Sequence, residues 1–308
     1  MEWWRDYQLV DVACDMCGGE QVQVLGHRPD GLRLVQFSRC NLAYISPRPS
    51  EEALTAIYSN GAYFGIGKGR SGIGYLDYAA GDRQRTLLAL AEARLAALAA
   101  HVSLRGQRLL EIGCATGEFC KAASDAGGRV VGLDCSPEAV EIGAMRYPGV
   151  TFRSGKLEEL VPDATFDIIC AFEVIEHVAS PTLFLGAINR HLARSGIVAL
   201  STPNLDCGFR LGLPNWEGFC GSFEHMYFFT ARTLSALLRK NGFNPIAFLS
   251  GGGTGRRRES LIKNVRAKLS RTFAARAFRL LFGRARSGAP MFRAGVGEHT
   301  LLVIAKRM

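Results

Sequence analysis

The run Leu109-Leu110-Glu111-Ile112-Gly113-Cys114-Ala115-Thr116-Gly117-Glu118-Phe119 constrains the fold of this chain more than any other segment. An apolar stretch breaks at a glycine turn and reopens as a helix. A second apolar stretch, Val130-Val131-Gly132-Leu133, ends on Asp134. Short apolar runs of this kind predict strands buried on both faces of a parallel sheet. A glycine turn followed about 20 residues later by an acid predicts a nucleoside site at the carboxyl edge of that sheet. Glycine lets the backbone approach a ligand where a Cβ would collide, and the acid accepts both ribose hydroxyls.

The turn also narrows the ligand. A dinucleotide site wants Gly-x-Gly-x-x-Gly, whereas this chain has Gly113-x-x-x-Gly117 with Glu111 at the strand end. A pyrophosphate would meet like charge at Glu111, and a cation such as an ammonium would not. The segment resembles motif I of the class I S-adenosylmethionine-dependent methyltransferases, Glu/Asp-x-Gly-x-Gly-x-Gly, with Ala115 in place of the middle glycine. The likeness continues in order. Phe166 to Val178 is similar to the family's fourth strand and following loop, and Pro181 to Leu192 to its next helix. Ser195 to Asn204 is similar to its fifth strand, and His225 to Phe243 to the helix before its sixth.

The resemblance implies an α/β fold with a doubly wound, mostly parallel seven-stranded sheet, and S-adenosylmethionine as cofactor. It assigns the cofactor site to Glu111, Gly113, Cys114, Gly117, Asp134, Leu157, Glu158 and Glu173. Glu111 faces the methionyl ammonium, amides around Gly113 and Gly117 line the ligand, and Asp134 holds the ribose. Family members usually carry an acid after the third strand to meet the adenine amino group. Lys156 stands there, so Glu158 or the backbone of Leu157 is expected to take that part.

Near the front, Cys14-Asp15-Met16-Cys17-Gly18-Gly19 reads as half of a zinc ribbon, in which a tight turn presents two thiolates to one metal. Phe37 to Ser50 is similar to the Cys-x-x-Cys-Gly-Leu-Val-Tyr-x-x-Pro-Arg-Pro segment preceding many such methyltransferase domains. In that alignment Cys40 is the fourth ligand and Phe37 fills the place of the third. A structural zinc on Cys14, Cys17 and Cys40, with His27 as a further donor, competes with a ribbon that has lost its metal and persists through packing.

Two positions carry candidate chemistry. Glu173, Glu176 and His177 share one face if the segment forms a helical turn. They then either hold a divalent cation or cap the next helix and close the cofactor pocket. The same string resembles the Glu-Val-x-Glu-His loop of the ubiquinone-biosynthesis O-methyltransferases. His225 precedes an aromatic run where relatives place acceptor-pocket residues. A neutral histidine there is a suitable general base, with Glu224 to orient it and Trp216 and Phe219 as an apolar wall. His177 and His225 are thus the catalytic candidates, against the alternative that they only pack.

Charge is concentrated late in the chain. Residues 256–286 hold eleven Lys or Arg and one acid, a net +10 against +9 for the whole protein. Apolar residues from Leu261 to Leu281 recur at helical spacing, which suits an anionic membrane surface. A helix docked on its own domain and, less favoured, a nucleic-acid grip are the alternatives. No uncharged run approaches the ~20 residues of a membrane span. The first residues lack the pattern of a signal peptide, and nine cysteines in core-like runs fit a reducing compartment. The expected location is cytoplasmic, with peripheral contact at the inner face of a membrane.

The expected organisation is a ribbon-like module over 1–50, a helix and glycine-rich lid or linker over 51–82 and the cofactor-binding core over 83–250. A basic helical insertion over 251–296 and the final core strand over 297–308 complete it. The expected reaction is methyl transfer to an oxygen of a small-molecule, saccharide or lipid-linked acceptor. The competing classes are a non-catalytic S-adenosylmethionine-binding protein and an RNA methyltransferase.

Overall fold

The structure, a computed structural model, describes residues 4–59, 63, 81–161, 164–251, 292–295 and 297–308. The glycine-rich stretch after Tyr63 and the basic segment 256–286 lie outside the described residues. The core strands are β6 (Arg108–Ile112), β7 (Arg129–Asp134), β8 (Thr151–Ser154), β9 (Phe166–Phe172), β10 (Leu192–Pro203), β12 (Phe243–Gly251), β13 (Phe292–Ala294) and β14 (Thr300–Arg307). They form one eight-stranded sheet in the order β13-β12-β14-β10-β9-β6-β7-β8. From β8 to β10 all pairings are parallel, while β14 runs antiparallel to both β10 and β12. The expected seven-stranded sheet is present, and β13 adds an eighth strand at the edge beyond β12.

Each buried strand feeds two cores. On β9, Ile168, Cys170 and Phe172 pack with Ala91 and Leu98 of α2 (Gly81–Ala99) and Phe119 and Cys120 of α3 (Glu118–Asp125). Ile169 and Ala171, between them, pack with Leu185 and Ile188 of α5 (Pro181–His191) and Leu234 and Leu237 of α8 (Ala231–Lys240). Alternation across a strand buried on both sides yields this two-faced layering. Local chemistry starts the helices. Ser136 Oγ accepts the Ala139 amide at 3.2 Å to open α4 (Pro137–Arg146), and Ser180 Oγ accepts the Leu183 amide at 3.1 Å to open α5. Both are N-caps followed by proline at the first helical position.

The front of the chain is not a detached unit. Strands β2 (Val22–His27), β3 (Arg33–Phe37) and β4 (Ala43–Ile45) form a meander whose last neighbour is β11 (Tyr227–Phe228), a strand of the core segment. A short pair, β1 (Leu9–Val10) with β5 (Arg48–Pro49), leads into α1 (Glu51–Tyr58). Arg48 bolts this assembly down. Its guanidinium donates to Ala179 O at 2.6 Å and to Tyr227 Oη at 3.0 Å, and lies 4.7 Å from the Tyr227 ring centre. Because the front sheet contains a core strand, front and core are expected to unfold together. Arg48→Ala should lower stability by about 2 kcal/mol within one cooperative transition. Urea unfolding followed by fluorescence and circular dichroism checks this, and a separate early front transition would contradict it.

Candidate functional site

The loop after β6 leads towards β7 and the loop after its sheet neighbour β9 leads the other way towards β10, which opens a crevice at the carboxyl ends of these two strands. In the glycine turn, Gly113, Ala115 and Gly117 have φ of 70°, 47° and 84°. Ala115 occupies the left-handed region at a cost of about 1 kcal/mol, while its neighbours are the residue type suited to it. Their packing matters as well: a Cβ on Gly113 would lie 2.5 Å from Val174 Cγ2, and one on Gly117 2.4 Å from the Phe152 ring. Protein packing, besides any approach of a ligand, therefore requires these glycines.

Asp134 gathers three loops at the end of β7. Its Oδ2 accepts the Ala115 amide at 2.8 Å, its Oδ1 the Ser136 amide at 2.9 Å, and its carbonyl the Gly155 amide at 2.9 Å. Burial raises its pKa, and the amides oppose that shift. Glu111 is buried at the end of β6 and accepts the Cys120 thiol at 2.9 Å. Burial pushes its pKa up to about 8. The Cys114 thiol is pushed up to about 11, also by burial, and is no nucleophile at neutral pH. Leu157 is buried in a short 3-10 turn, and Glu158 beside it is exposed. Lys156 Nζ donates to Thr55 Oγ1 at 3.0 Å, so this unexpected lysine is tied to α1.

The Glu173–His177 segment is a loop rather than a helical turn, and it separates the three residues expected on one face. Glu173, at φ 56°, accepts Ser201 Oγ at 2.7 Å and lies 4.0 Å from Arg94. Glu176 and His177 meet His225 instead, with one ligand atom from each residue within 4.8 Å of the others. The His177 and His225 ring centres are 4.8 Å apart. Glu176 is fully buried, and among the described residues neither of its oxygens has a hydrogen-bond partner. Burial, then the charge of Glu173, raises its pKa well above the carboxylate range.

The neighbours of the two imidazoles decide their tautomers. Tyr58 Oη donates to Glu224 O at 3.1 Å and lies 2.8 Å from His177 Nδ1. Having one proton, the phenol must accept from Nδ1–H, which leaves the His177 Nε2 lone pair bare. His225 Nδ1 lies 3.1 Å from Gly218 O, an acceptor only, so His225 Nε2 is bare as well. Burial lowers both pKa values, His177 to about 4 and His225 well below the ordinary range, so both rings are neutral near pH 7. The expectation that Glu224 orients His225 is corrected: the Gly218 carbonyl does so, and Arg28 Nη1 holds the His225 carbonyl at 2.9 Å. Trp216 and Phe219 are buried behind His225, packed on Phe228.

Besides Arg28, two residues of this site escaped the sequence reading. Tyr58 ends α1, 119 positions before His177, and no local pattern signals it. Arg94 reaches from α2 over the Phe172 ring at 4.7 Å, and its charge opposes the upward shifts of Glu111 and Glu173. Its apolar-rich helix reads as ordinary packing. Among the described residues its Nε is buried without a partner.

Residues 80–247 match the family described as the methyltransferase domain. A probable S-adenosylmethionine-dependent methyltransferase of Mycolicibacterium smegmatis is 39% identical over 100 residues, 32% of this chain and 39% of that protein. A ubiquinone biosynthesis O-methyltransferase of Bradyrhizobium sp. is 34% identical over 122 residues, 38% of this chain and 44% of that protein. The matches thus span less than half the length of these relatives. A Thermotoga maritima structure, described as an S-adenosylmethionine-dependent methyltransferase and possible histamine N-methyltransferase, shares the fold. Its TM-score is 0.52 at 18% identity, over 75% of this chain and 97% of that one. The chain belongs to the S-adenosylmethionine-dependent methyltransferases of the methyltransferase-domain family. The donor set fits that cofactor: a buried carboxylate at the end of β7 for a diol, an acid at the end of β6 for an ammonium, and a partly unpartnered guanidinium for a carboxylate.

Glu111 gives this half of the crevice a pH signature. Its folded pKa of about 8 stands above the ordinary 4.5, so its protonated form favours the fold. That contribution is complete below pH 4.5 and is lost as pH rises through 8. Glu111→Gln should therefore be more stable than the parent at pH 9, on the order of 5 kcal/mol, and differ by less than about 1 kcal/mol at pH 5. Urea unfolding of the two proteins at both pH values measures the difference.

Proposed function

We propose that the protein methylates the oxygen of a small-molecule acceptor seated beside Glu176, His177 and His225, using S-adenosylmethionine held by the β6–β7 side of the crevice. The observation that carries this reading is the pair of buried neutral imidazoles with bare Nε2 lone pairs. S-adenosylmethionine supplies an electrophilic methyl group on a sulfonium. His177 Nε2 would take the proton of the acceptor hydroxyl, leaving that oxygen to receive the methyl group. Asp134 holds the ribose, Glu111 the ammonium and Arg94 the carboxylate, with Leu157 against the adenine. The Bradyrhizobium relative's name supports oxygen as the atom methylated.

An imidazole held near pKa 4 is a weak base, so it serves an acidic hydroxyl better than an aliphatic one. A phenolic acceptor, with a pKa near that of tyrosine, fits this better than a saccharide. A second reading rests on Glu176. Its bare oxygens and the two Nε2 atoms make a donor set suited to a divalent cation, which would bind the acceptor hydroxyl as well. No helix of the described residues is long and apolar enough to cross a membrane. In this reading the basic segment 256–286 brings the enzyme to an anionic surface and a lipid-linked acceptor.

Methyl-labelled S-adenosylmethionine, incubated with purified protein and a panel of phenolic, saccharide and RNA acceptors, tests the proposal. Label should enter phenols, and His177→Ala should lower the rate at least about 100-fold with S-adenosylhomocysteine affinity unchanged. Loss of activity in a chelator, restored by a divalent metal, selects the cation reading. Tight S-adenosylhomocysteine binding with no transfer to any hydroxyl, or transfer to RNA alone, overturns both.

A further inference from the structure

Three cysteines far from the crevice converge. Cys14 Sγ and Cys17 Sγ each lie 3.4 Å from Cys40 Sγ, all three atoms are within 4.8 Å of one another, and all three thiols are free. Two opposed turns present them. In the first, the Cys17 and Gly18 amides donate to Cys14 O at 3.2 and 2.7 Å, with Gly18 at φ 70°. In the second, at the β3–β4 connection, the Asn41 amide donates to Phe37 O at 2.9 Å, with Asn41 at φ 60°. Three thiolates around a tetrahedral zinc at 2.3 Å stand about 3.8 Å apart, close to the observed spacing. Cys17 is exposed and Cys14 buried, so the cluster has a path for an ion to enter.

We propose that Cys14, Cys17 and Cys40 bind one zinc-class ion through three thiolates, with the fourth position open to solvent or a small ligand. Phe37 accounts for that vacancy. It occupies the place of the ribbon's third cysteine, and its ring covers Gly19, where a Cβ would lie 1.9 Å from a ring carbon. His27 does not replace it. In the β2–β3 register Val22 faces Phe37 and His27 faces Arg33, which puts His27 about 17 Å along the strand from the cysteine end.

The ion would hold more than the two turns. Asp15 lies between its ligands and reaches the start of α5. Its Oδ1 accepts Ser180 Oγ at 2.5 Å, its Oδ2 the Thr182 amide at 2.8 Å, and its carbonyl accepts Thr182 Oγ1 at 3.2 Å. Met16 O accepts Lys240 Nζ of α8. Since α5 follows directly on the loop bearing Glu176 and His177, the ion staples the front sheet to the root of that loop.

The test uses the full chain, purified reduced and equilibrated with zinc, then desalted. Wild type should retain about one zinc per chain, and Cys17→Ser/Cys40→Ser none. Cobalt in place of zinc should give a thiolate charge-transfer band that the double variant lacks. Phe37→Cys, which supplies a fourth thiolate, should slow zinc loss to a chelator at least tenfold. On the wild-type chain itself, iodoacetamide should spare Cys17 and Cys40 until chelator is added, and chelation should speed amide exchange at Thr182. No retained zinc in wild type overturns the proposal. So does zinc unchanged in the double variant, or equal alkylation with and without chelator.

Discussion

The position of β6 governs the rest of this molecule. It enters the sheet between β7 and β9, so the chain winds one way through α3, β7, α4 and β8, and the other way through β9, α5 and β10. Two loops leaving adjacent strand ends in opposite directions cannot cover each other, and a crevice remains between them. Asp134 belongs to one side of it and the Glu173–His177 loop to the other. The antiparallel insertion of β14 between β10 and β12 widens the platform. It brings β12, and with it α8, onto the face where the front sheet docks.

That docking makes the front segment part of the working site rather than an appendage. Strand β11 closes the front sheet, and the residues just before it, Glu224 and His225, are held by Tyr58 and Arg28 from the front. Arg28 is itself buried in a two-pronged pair with Asp30, its Nη2 2.7 Å from Asp30 Oδ2. A buried arginine that spends its other donor on the His225 carbonyl fixes a loop more rigidly than a neutral contact would. The imidazoles owe their bare lone pairs to carbonyls and a phenol supplied by other segments, a supporting shell that orients the chemistry without taking part in it.

Much of this was legible in the chain. The apolar runs at Leu109–Ile112, Val130–Leu133 and Ile168–Phe172 announce parallel strands because both sheet faces are covered. The Ser-Pro pairs before α4 and α5 announce their starts through a capping hydroxyl and a preset φ. The acid at 134 and the paired cysteines at 14 and 17 are local signals, set by a strand end and a tight turn, although Asp134 meets Ala115 and Gly155 from other loops and Cys40 joins Cys14 from 26 positions away. Tyr58, Arg28 and Arg94 carried no such signal, since a tyrosine ending a helix or an arginine within one is usual.

The sequence by itself determined the buried strands and the strand-end position of Glu111 and Asp134, because burial pattern and turn chemistry act over a few residues, while the winding of the sheet followed from the family resemblance. Only the tertiary structure decided which groups share the acceptor side. It turned Glu173 away to Ser201, brought His225 against His177 across 48 positions, and set Tyr58 between His177 and Glu224. Such choices depend on which donors and acceptors meet when distant segments pack, and that is settled by the shape of the whole core.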